Sequence, residues 1–594
     1  MAALLQAQLD CPPSIARLMV ARGITEADSA RKYLTPSLED LHDPLFMLGM
    51  QPAVERIQTA VAAGESILIY GDYDVDGTIA TVLLKTAIER IGTTASPARV
   101  TYHVPHRLRE GYGIQNVRLA EAAAAGVRLV VSVDTGIRAF AAADEARALG
   151  LDLIVTDHHL PDGTEGVPDA FAVINPAQPG CPYPNKHLCG AGVAFKLAHA
   201  LLLSHAQDDA ARNRIDRILI PSFLKLLAIA TIADSVDLSG ENRAIVWLGL
   251  RALSNPVQPG LRALMQVARL ELDKSPTARE VGFALGPRIN AAGRMDVASD
   301  VVELFLTRDQ AVASVTANKL DLLNDQRRAA ESAALQAIEL QLLSLRDAAG
   351  EYPGECFVLD HPEWHRGVLG ILASRVVERT GRPALVMSSQ DGVAHGSGRS
   401  IAGFHLLDAL TTIHAPDPET LLFSRFGGHA HAVGFSLPSD RLPELRARMK
   451  QHSLQHLSPA MLLPCVTCDV QVTPPELTSE LVSWIDRCAP FGHGNCEPVF
   501  FCSGLRISGP PRIIKEIHLC LPLARGSEGG ALSAMGWSRP GQLTWAQRFS
   551  DLGLVEGSHI DAAFRLKENK HPSYRGIELE LVNISLHFRE QHTE

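Results

Sequence analysis

A repeated alternation of short apolar runs and Ala-rich segments begins at about residue 64, and it constrains the fold more than any other feature. The runs SILIYGD, RLVVSVD and LDLIVTD are separated by segments with helical periodicity, such as TIATVLLKTAIERIG. Buried strands that alternate with helices form parallel sheets covered by helices. The sequence therefore predicts a parallel α/β sheet in this part of the chain.

The remainder of the chain changes character several times. A long charged helical stretch leads to the breaker run AAGEYPGE, and a second α/β pattern follows it. Near the end, short alternating strands separated by Pro, Gly and Asn turns predict a small antiparallel barrel like an OB fold. The predicted divisions are an N-terminal segment without a recognisable motif (1–55), the parallel-sheet lobe (56–255), a helical connector (256–347), the second α/β lobe (348–456) and the barrel (460–594).

Composition narrows the class of protein. Of 594 residues, 46% are hydrophobic and 20% are charged, which is typical of globular chains, and the net charge of −11 excludes a uniformly basic coat for nucleic acid. Neither a basic signal sequence nor an uncharged stretch of ~20 residues is visible, so we expect a cytoplasmic protein without a membrane span. Ten scattered cysteines fit a reducing compartment. Cys465 and Cys468 have CxxC spacing and are interpreted as ordinary thiols, with a zinc or redox site as the alternative.

Acidic motifs stand where the predicted strands end. Asp72, Asp74 and Asp76 follow the first strand, Asp134 follows the third, and DHH at 157–159 follows the fourth. In open parallel sheets, ligands bind at the carboxyl ends of the strands, so these side chains should meet. A further carboxylate, in the helical stretch TIADSVD, is Asp234.

So many neighbouring carboxylates would repel one another, and divalent cations relieve that repulsion. Carboxylates with imidazole suit Mn²⁺ or Mg²⁺, with a preference for Mn²⁺, and two ions ~3.5–4 Å apart can activate water against a phosphodiester. Alone, DxDxDG could be a calcium-type loop or a solvated turn, and a His pair could be simple packing. Because adjacent strand residues point to opposite faces, one of His158 and His159 is expected to bind metal and the other to face a phosphate.

Taken together, the motifs resemble those of the DHH phosphoesterase superfamily, and within it the exonucleases specific for single-stranded DNA. GDYDVDG, DTG, DHH and TIAD match the four motifs of the superfamily in order, and the resemblance covers roughly residues 60–590. Further matches are EGYG, GPRINAAGR, GSGRS, GGHAHAVG and PFGHGNCEP. One departure is Cys496, where the family usually has proline. The implied fold is a DHH-type parallel-sheet lobe, a long connector helix, a DHH-associated α/β lobe and an OB-like barrel.

The resemblance implies roles for individual residues at two bound ions. Asp74 and Asp76 would each bind one ion, with Asp72 beside the first. Asp134 would bridge the ions, and His158 and Asp234 would complete the second site. Asp157 would orient His158, and His159 would contact the scissile phosphate or assist the leaving oxygen.

Substrate contacts are implied at four further places. The GSGRS segment would bind a terminal phosphate, and GPRINAAGR would contact phosphates or the nucleotide backbone, unless its residues instead form a buried arginine clamp between domains. A glycine pair would let a histidine approach the strand, and the segment at EGYG would guide the strand at the entrance. These residues are Arg107, Tyr112, Arg288, Asn290, Arg294, Ser397, Arg399, Ser400, Gly428 and His429, with His431 less favoured.

The predicted barrel suits single-stranded DNA, which such modules hold by base stacking and basic contacts. Arg512, Lys515, Lys567 and Lys570 are candidate contacts, although a solvated surface explains any one of them equally well. Because every expected metal ligand precedes residue 235, a chain truncated before Leu463 is expected to keep its metal site.

The resemblance implies a monomeric exonuclease that removes mononucleotides from the 5′ end of single-stranded DNA in repair and recombination. A channel between the two lobes would exclude duplex DNA. A single-strand-binding protein and a helicase are the implied protein partners. The alternatives are a DHH phosphodiesterase of short oligonucleotides or cyclic dinucleotides, a non-catalytic DNA-binding relative and a soluble pyrophosphatase. The barrel argues against the phosphodiesterase and the pyrophosphatase, and the complete set of acidic motifs argues against the non-catalytic relative.

Overall fold

The computed structural model describes residues 1–94, 96–107, 109–348, 350–414, 421–463, 465–524, 531–538, 543–569 and 576–587. They form two compact units. The first consists of Met1–Asn324, Asp469–Val472 and Glu476–Pro498, and the second of Asp325–Cys468, Thr473–Pro475 and Val499–Glu594. Among the described helices, none is long and apolar enough to cross a bilayer.

The first unit is built on a five-stranded parallel sheet. Its strands are β1 Ser66–Tyr70, β2 Arg99–His103, β3 Val127–Val133, β4 Asp152–Thr156 and β5 Ala172–Ile174, in the order β2-β1-β3-β4-β5. Strands β1, β3 and β4 are therefore neighbours, and their carboxyl ends share one edge. This arrangement confirms the predicted parallel lobe.

Helices bury both faces of this sheet. One of them, Val75–Ile91, packs its apolar side chains against Gly190–His205 and Ile220–Ala233 in one continuous core. The others in this region are Met50–Ala63, Asn116–Ala124, Phe140–Ala148, Asp209–Arg214 and Gly240–Ala252. Those that follow are Pro259–Val267, Ala278–Glu280, Gly286–Met295 and Ser299–Leu306, and a long helix, Gln310–Ser344, passes from the first unit into the second.

The N-terminal segment forms three helices, Ala2–Leu9, Pro13–Ala21 and Ala27–Leu34. They hold a stretch of chain from far downstream that contains the helix Ser479–Arg487. The Arg22 guanidinium donates to Asp469 at 2.9 Å and to Asn495 at 2.9 Å. Residues 1–55 therefore have a structural role that their sequence did not reveal.

This arrangement differs from the predicted division at residue 460. Residues 469–472 and 476–498 belong to the first unit, although the sequence expectation placed them in the barrel. The reason is local: Ser479–Arg487 is an amphipathic helix, and Leu481 and Ile485 are buried. An apolar helix face needs a partner, and a pattern of alternating strands around it does not show where that partner lies.

The second unit begins with a mixed five-stranded sheet. Its strands are β6 Phe357–Asp360, β7 Ala384–Gln390, β8 Val393–Arg399, β9 Arg425–Gly428 and β10 Ala432–Pro438, in the order β6-β7-β8-β10-β9. Only β6 and β7 run parallel, and the remaining pairs are antiparallel. The helices Leu369–Thr380, Leu406–His414, Leu442–His456 and Pro459–Leu462 accompany it.

The C-terminal part of the second unit is a sheet of short strands with one helix, Trp545–Asp551. Six strands of this seven-stranded sheet are β11 Phe500–Arg506, β12 Arg512–Ile514, β13 His518–Ala524, β14 Ala531–Gly536, β15 His559–Asn569 and β16 Gly576–Leu586. They lie in the order β11-β15-β16-β14-β13-β12. The expected OB-like architecture is present, with one difference: β14 and β16 pair in parallel, so the sheet is not purely antiparallel.

Candidate metal centre

The acidic loop after β1 is shaped by its own hydrogen bonds. Asp74 caps the helix Val75–Ile91, and its Oδ1 accepts from the N–H groups of Asp76 at 2.9 Å and Gly77 at 3.1 Å. A Cβ atom at Gly77 would lie 2.6 Å from Cβ of Asp72, so only glycine lets the loop close this tightly. Three carboxylates thereby come from five consecutive residues.

The carboxyl ends of β1, β3 and β4 and the end of the helix Ile220–Ala233 bring the predicted ligands together. One group of possible ligand atoms comes from Asp72, Asp74 and Asp134, and another from Asp76, His158 and Asp234; within each group the atoms lie within 4.8 Å of one another. The groups adjoin, since Nε2 of His158 is 3.3 Å from Oδ1 of Asp134. A third such group is Asp134, His158 and His159, so the structure brings the predicted ligands together, and their division between two ions stays a prediction.

Two buried oxygens at this edge favour a cation. Among the described residues, neither Oδ1 of Asp72 nor Oδ1 of Asp134 has a hydrogen-bond partner. Asp134 also has a φ of 60°, a left-handed conformation that non-glycine residues adopt rarely and mostly at functional sites. Buried unpaired carboxylate oxygens are costly, and a metal ion would satisfy them. The residues present therefore fit two divalent ions.

The electrostatics agree with this interpretation. Burial raises the pKa of Asp72 and of Asp134 well above the usual range. The carboxylate of Asp74 adds to the effect at Asp72, and those of Asp76 and Asp74 add to it at Asp134. Burial and the same two neighbours also raise the pKa of Asp234. Without cations, these groups resist ionisation, so metal binding and deprotonation are coupled.

The two histidines of the DHH motif have different roles. Burial lowers the pKa of His158, which favours the neutral ring that a metal ion needs. The ring of His159 instead donates from Nδ1 to Oδ1 of Asp157 at 2.8 Å. Burial alone would lower the pKa of His159, but this hydrogen bond and the nearby carboxylates of Asp157, Asp76 and Asp74 together raise it. The same bond helps to lower the pKa of Asp157 against the effect of burial.

The partner of Asp157 is a correction to the sequence-based expectation. Asp157 does not hold the ring of His158; it accepts from that residue's backbone N–H at 2.7 Å and from the N–H of Ile137 at 2.9 Å. The side chain instead orients His159. Spacing alone cannot tell which of two adjacent rings a preceding carboxylate reaches.

A helix N-terminus that sequence reasoning missed supports Asp76. The first N–H groups of the helix Gly190–His205, from Gly190 and Ala191, donate to the two carboxylate oxygens of Asp76 at 2.6 and 2.9 Å. A Cβ atom at Gly190 would lie 2.3 Å from Oδ1 of Asp134. The available signal was the small-residue run Gly190–Ala191–Gly192 at the start of an apolar helix.

Two predicted strand-guiding residues lie beside the acidic edge. The Arg107 guanidinium sits over the ring of Tyr73 at 5.0 Å, next to Asp72. The hydroxyl of Tyr112 is 3.4 Å from Nδ1 of His159, and the residue is 43% exposed, so it is open to a ligand.

The helix Gly286–Met295 supports the acidic loop. The side-chain oxygen of Asn290 accepts from the N–H of Val75 at 3.3 Å, and a Cβ at Gly293 would lie 2.3 Å from the carbonyl oxygen of Tyr73. Arg294 is close enough to Tyr73 to lower the pKa of its hydroxyl, against the larger effect of burial.

Arg288 faces another way. It forms an ion pair with Asp321 at 2.8 Å and donates to the carbonyl of Ala284 at 2.8 Å. Both partners are in the first unit with Arg288, so these contacts are not the clamp between domains that the sequence left as the alternative. A phosphate contact by Arg288 stays a prediction.

The second unit contains the predicted terminal-phosphate residues on β8 and just after it. The Arg399 guanidinium donates to Oγ of Ser397 at 3.2 Å, and Oγ of Ser400 donates to the carbonyl of Phe404 at 2.6 Å. A Cβ at Gly370 would lie 3.1 Å from the Arg399 guanidinium. The start of the helix Leu369–Thr380 is thus adjacent to Arg399, a neighbour that the WHRGVLG stretch could have suggested.

The glycine-histidine stretch has a structural explanation of its own. Gly428 has a φ of 143°, and a Cβ there would lie 2.2 Å from the carbonyl oxygen of Ala432, so glycine is needed for the turn between β9 and β10. The N–H of His429 donates to that same carbonyl at 2.9 Å, and its Nδ1 accepts from the N–H of His431 at 3.4 Å. Contact of either histidine with a strand stays a prediction.

The barrel candidates differ in their surroundings. Lys567 forms an ion pair with Glu580, Arg512 donates to the thiol of Cys520 at 3.5 Å, and Lys515 is in a left-handed turn with a φ of 50°. Lys570 lies outside the described residues. Within the described ranges, Cys465 and Cys468 are not part of any group of possible metal ligands.

Comparisons with known proteins agree with the fold and the site. Family models match at residues 66–231 (DHH family, N-terminal domain), 354–452 (DHHA1 domain) and 468–583 (RecJ OB domain). The sheet with its acidic edge thus defines a DHH-type domain of the metal-dependent phosphoesterases. The single-stranded-DNA-specific exonuclease RecJ of Escherichia coli is 35% identical over 97% of this chain and 96% of its own length. The chain therefore belongs to the RecJ family.

Two solved structures match nearly the whole chain. RecJ from Thermus thermophilus in complex with Mn²⁺ has a TM-score of 0.78 at 29% identity, and the match covers 98% of this chain and 77% of that one. The same protein in complex with Mg²⁺ has a TM-score of 0.72 at 28% identity, with coverage of 98% and 76%. Both ions named in these relatives are ions that the sequence predicts.

Proposed function

We propose that this chain is a metal-dependent exonuclease that removes mononucleotides from the 5′ end of single-stranded DNA. The observation that carries the proposal is the pair of adjoining ligand groups, Asp72, Asp74, Asp134 and Asp76, His158, Asp234. Membership of a family whose E. coli relative is a single-stranded-DNA-specific exonuclease supports the substrate class.

In this proposal, each side chain at the edge of the sheet has a separate task. The carboxylates and His158 hold two Mn²⁺ or Mg²⁺ ions, with Asp134 common to both. Such ions lower the pKa of a bound water and stabilise charge on the attacking and leaving oxygens. Asp157 holds His159 as a donor, so that the free edge of its ring can hydrogen-bond the scissile phosphate or protonate the leaving oxygen.

The direction of digestion rests on the second unit. Ser397, Arg399 and Ser400 would bind the 5′-terminal phosphate, for which a guanidinium between two hydroxyls is suited. Arg107 and Tyr112 would guide the strand beside the acidic edge, and Arg294 and Asn290 would act close to it. His429 and Gly428 would contact the strand from the β9–β10 turn, and Arg288 would reach a phosphate only if it left Asp321.

The wider setting follows from the family resemblance. We propose action in DNA repair and recombination in the cytoplasm, as a monomer, with a single-strand-binding protein and a helicase as partners. The domain divisions of the sequence analysis are proposed to hold, and the match of the RecJ OB domain model at 468–583 supports the start of the last one. By packing, however, residues 469–472 and 476–498 group with the first unit.

Digestion of end-labelled strands tests the proposal. A 5′-phosphorylated single strand labelled at its 3′ end should shorten progressively with Mn²⁺ or Mg²⁺ and remain intact with EDTA, and a matched duplex should survive. A bulky group at the 5′ end should protect the strand, whereas one at the 3′ end should not. Equal digestion from a free 3′ end would contradict the terminal-phosphate role of Ser397 and Arg399.

A further inference from the structure

The chain just after Asp234 is held by a distant loop. Asp234 follows the helix Ile220–Ala233, and Ser235 has a φ of 56°, which turns the chain sharply. Three residues further on, the N–H of Leu238 donates to the carbonyl of His493 at 2.9 Å. We call residues 489–496 the buttress loop; it contains most of the PFGHGNCEP motif, which the proposed chemistry leaves unused.

Two glycines bring the buttress loop into direct contact with this turn. A Cβ at Gly494, which has a φ of 70°, would lie 2.2 Å from Oδ1 of Asp237, and a Cβ at Gly492 would lie 2.6 Å from the Leu238 side chain. Leu238 is buried, and Oδ1 of Asp237 is buried with no hydrogen-bond partner among the described residues. The contact is therefore close, and a methyl group on either glycine would force the neighbouring side chain of the turn to shift.

The buttress loop is itself fixed from behind. Nδ2 of the buried Asn495 donates to the carbonyls of Cys488 at 3.1 Å and Pro490 at 2.8 Å. The hydroxyl of Tyr33 donates to Oδ1 of Asn495 at 2.9 Å, and the Arg243 guanidinium donates to the carbonyl of Ala489 at 2.8 Å. Hydrogen bonds from the N-terminal helices and from the helix Gly240–Ala252 thus hold the buttress loop in position.

We propose that the buttress loop is a positioning element of the metal centre, which places the Asp234 carboxylate by fixing the turn that follows it. The proposal rests on the proposed metal centre. Its geometric basis is that Asp234 lies at the end of a helix, with Oδ2 3.8 Å from Nε2 of His158, and is followed directly by the turn at 235–238 that the buttress loop contacts. Metal–ligand distances hold within about 0.2 Å, so a small displacement of this turn is enough to impair one site.

The test compares Gly494→Ala with Gly180→Ala. Both glycines are in the first unit with similar left-handed φ values, 70° and 75°, but an added Cβ at Gly180 meets nothing within 4 Å. The backbone cost is matched, and only Gly494→Ala pushes on the Asp237 turn. Mn²⁺ binding to the full chain is measured by isothermal titration calorimetry, together with thermal unfolding in EDTA and the Mn²⁺ dependence of digestion.

In Gly494→Ala we expect one of the two Mn²⁺ sites to weaken about tenfold while the other changes less than about twofold. Digestion should then need more Mn²⁺ for half-maximal rate. Gly180→Ala should bind both ions like the wild type, with a similar loss of thermal stability. Unchanged binding at both sites in folded Gly494→Ala overturns the proposal.

Two further variants keep the test decisive. Replacing Asp237 by glycine in the Gly494→Ala background removes the oxygens that the new methyl group meets, so Mn²⁺ affinity should recover; no recovery, with the double variant folded, overturns the proposal. If Gly494→Ala does not fold, Gly492→Ala takes its place. Asp234→Asn distinguishes a failure of the proposed metal centre from a failure of the buttress proposal. If Asp234→Asn leaves Mn²⁺ binding unchanged, the proposed metal centre is wrong. If Asp234→Asn weakens Mn²⁺ binding and Gly494→Ala does not, only the buttress proposal is rejected.

Discussion

At the scale of single residues, Asp134 combines three properties: a buried carboxylate with an unpaired oxygen, a left-handed backbone and a raised pKa. A group whose ionised form is this disfavoured destabilises the metal-free protein at neutral pH. Asp134→Asn should therefore abolish digestion, yet raise the unfolding midpoint in EDTA by a degree or more. It should also lose the stabilisation that Mn²⁺ gives the wild type.

Thermal scans with EDTA and with Mn²⁺ check this prediction. Asp144→Asn, on an exposed part of the helix Phe140–Ala148, is the matched control and should behave like the wild type. Near wild-type turnover of Asp134→Asn in Mn²⁺ would rule out a bridging role.

The Asp157–His159 pair gives a second prediction at this scale. Because Asp157 orients the ring of His159, Asp157→Asn and His159→Gln should each lower kcat by roughly 10²–10³-fold, as expected for a lost acid-base group. The double variant should be little worse than either one, since both changes remove one unit. Mn²⁺ affinity should stay within a few-fold of wild type in all three. If Asp157→Asn instead abolished Mn²⁺ binding, the original expectation that it supports His158 would be restored.

At the scale of elements, the site depends on a helix N-terminus as much as on strand ends. A methyl group at Gly190 would collide with Asp134, while the same change at Gly192 meets only the Leu188 side chain, at 3.2 Å. Gly190→Ala should therefore lower the rate of digestion by at least about 10²-fold and weaken Mn²⁺ binding. Gly192→Ala should keep the wild-type rate and the wild-type Mn²⁺ affinity. Calorimetry and end-labelled digestion measure the difference, and equal behaviour of the two variants would show that the helix start is not part of the site.

Which elements could be predicted follows from the range of the interactions. Strands β1, β3 and β4 and their acidic ends were predictable, because apolar runs and parallel-sheet topology bring Asp72, Asp134 and Asp157 to one edge. Which histidine ring Asp157 holds could not be predicted, since it depends on side-chain rotation within two residues. The role of Gly190 could not be predicted either, because a steric requirement between residues far apart in sequence leaves no periodic signal.

At the scale of the whole molecule, the boundary near residue 498 matters more than the boundary near residue 463. A chain ending before Leu463 loses the helix Ser479–Arg487 and the partners of Arg22, Tyr33 and Arg243, so the first unit would expose apolar surface. The expectation that such a truncation spares the metal site therefore needs revision. A chain ending at Pro498 keeps all of these contacts.

We expect the form ending at Pro498 to bind Mn²⁺ and to cut short oligonucleotides, with weakened affinity for long strands, because base stacking contributes ~1–3 kcal/mol per base. The form ending at Leu462 should unfold at lower temperature and bind Mn²⁺ poorly. Circular dichroism, calorimetry and affinity against strand length compare the two forms with the full chain. An unchanged length dependence in the folded form ending at Pro498 would assign the barrel to protein partners.

The return of residues 469–472 and 476–498 to the first unit also has a consequence for synthesis. Arg17 pairs with Glu476, which lies 459 positions further along the sequence. The N-terminal helices therefore cannot form this contact until residue 476 has left the ribosome. Domains usually fold in order of synthesis, but here the first unit cannot close before residue 498 emerges. If the buttress loop places Asp234 as proposed, the nascent chain acquires its full nuclease chemistry only after residue 498 has emerged.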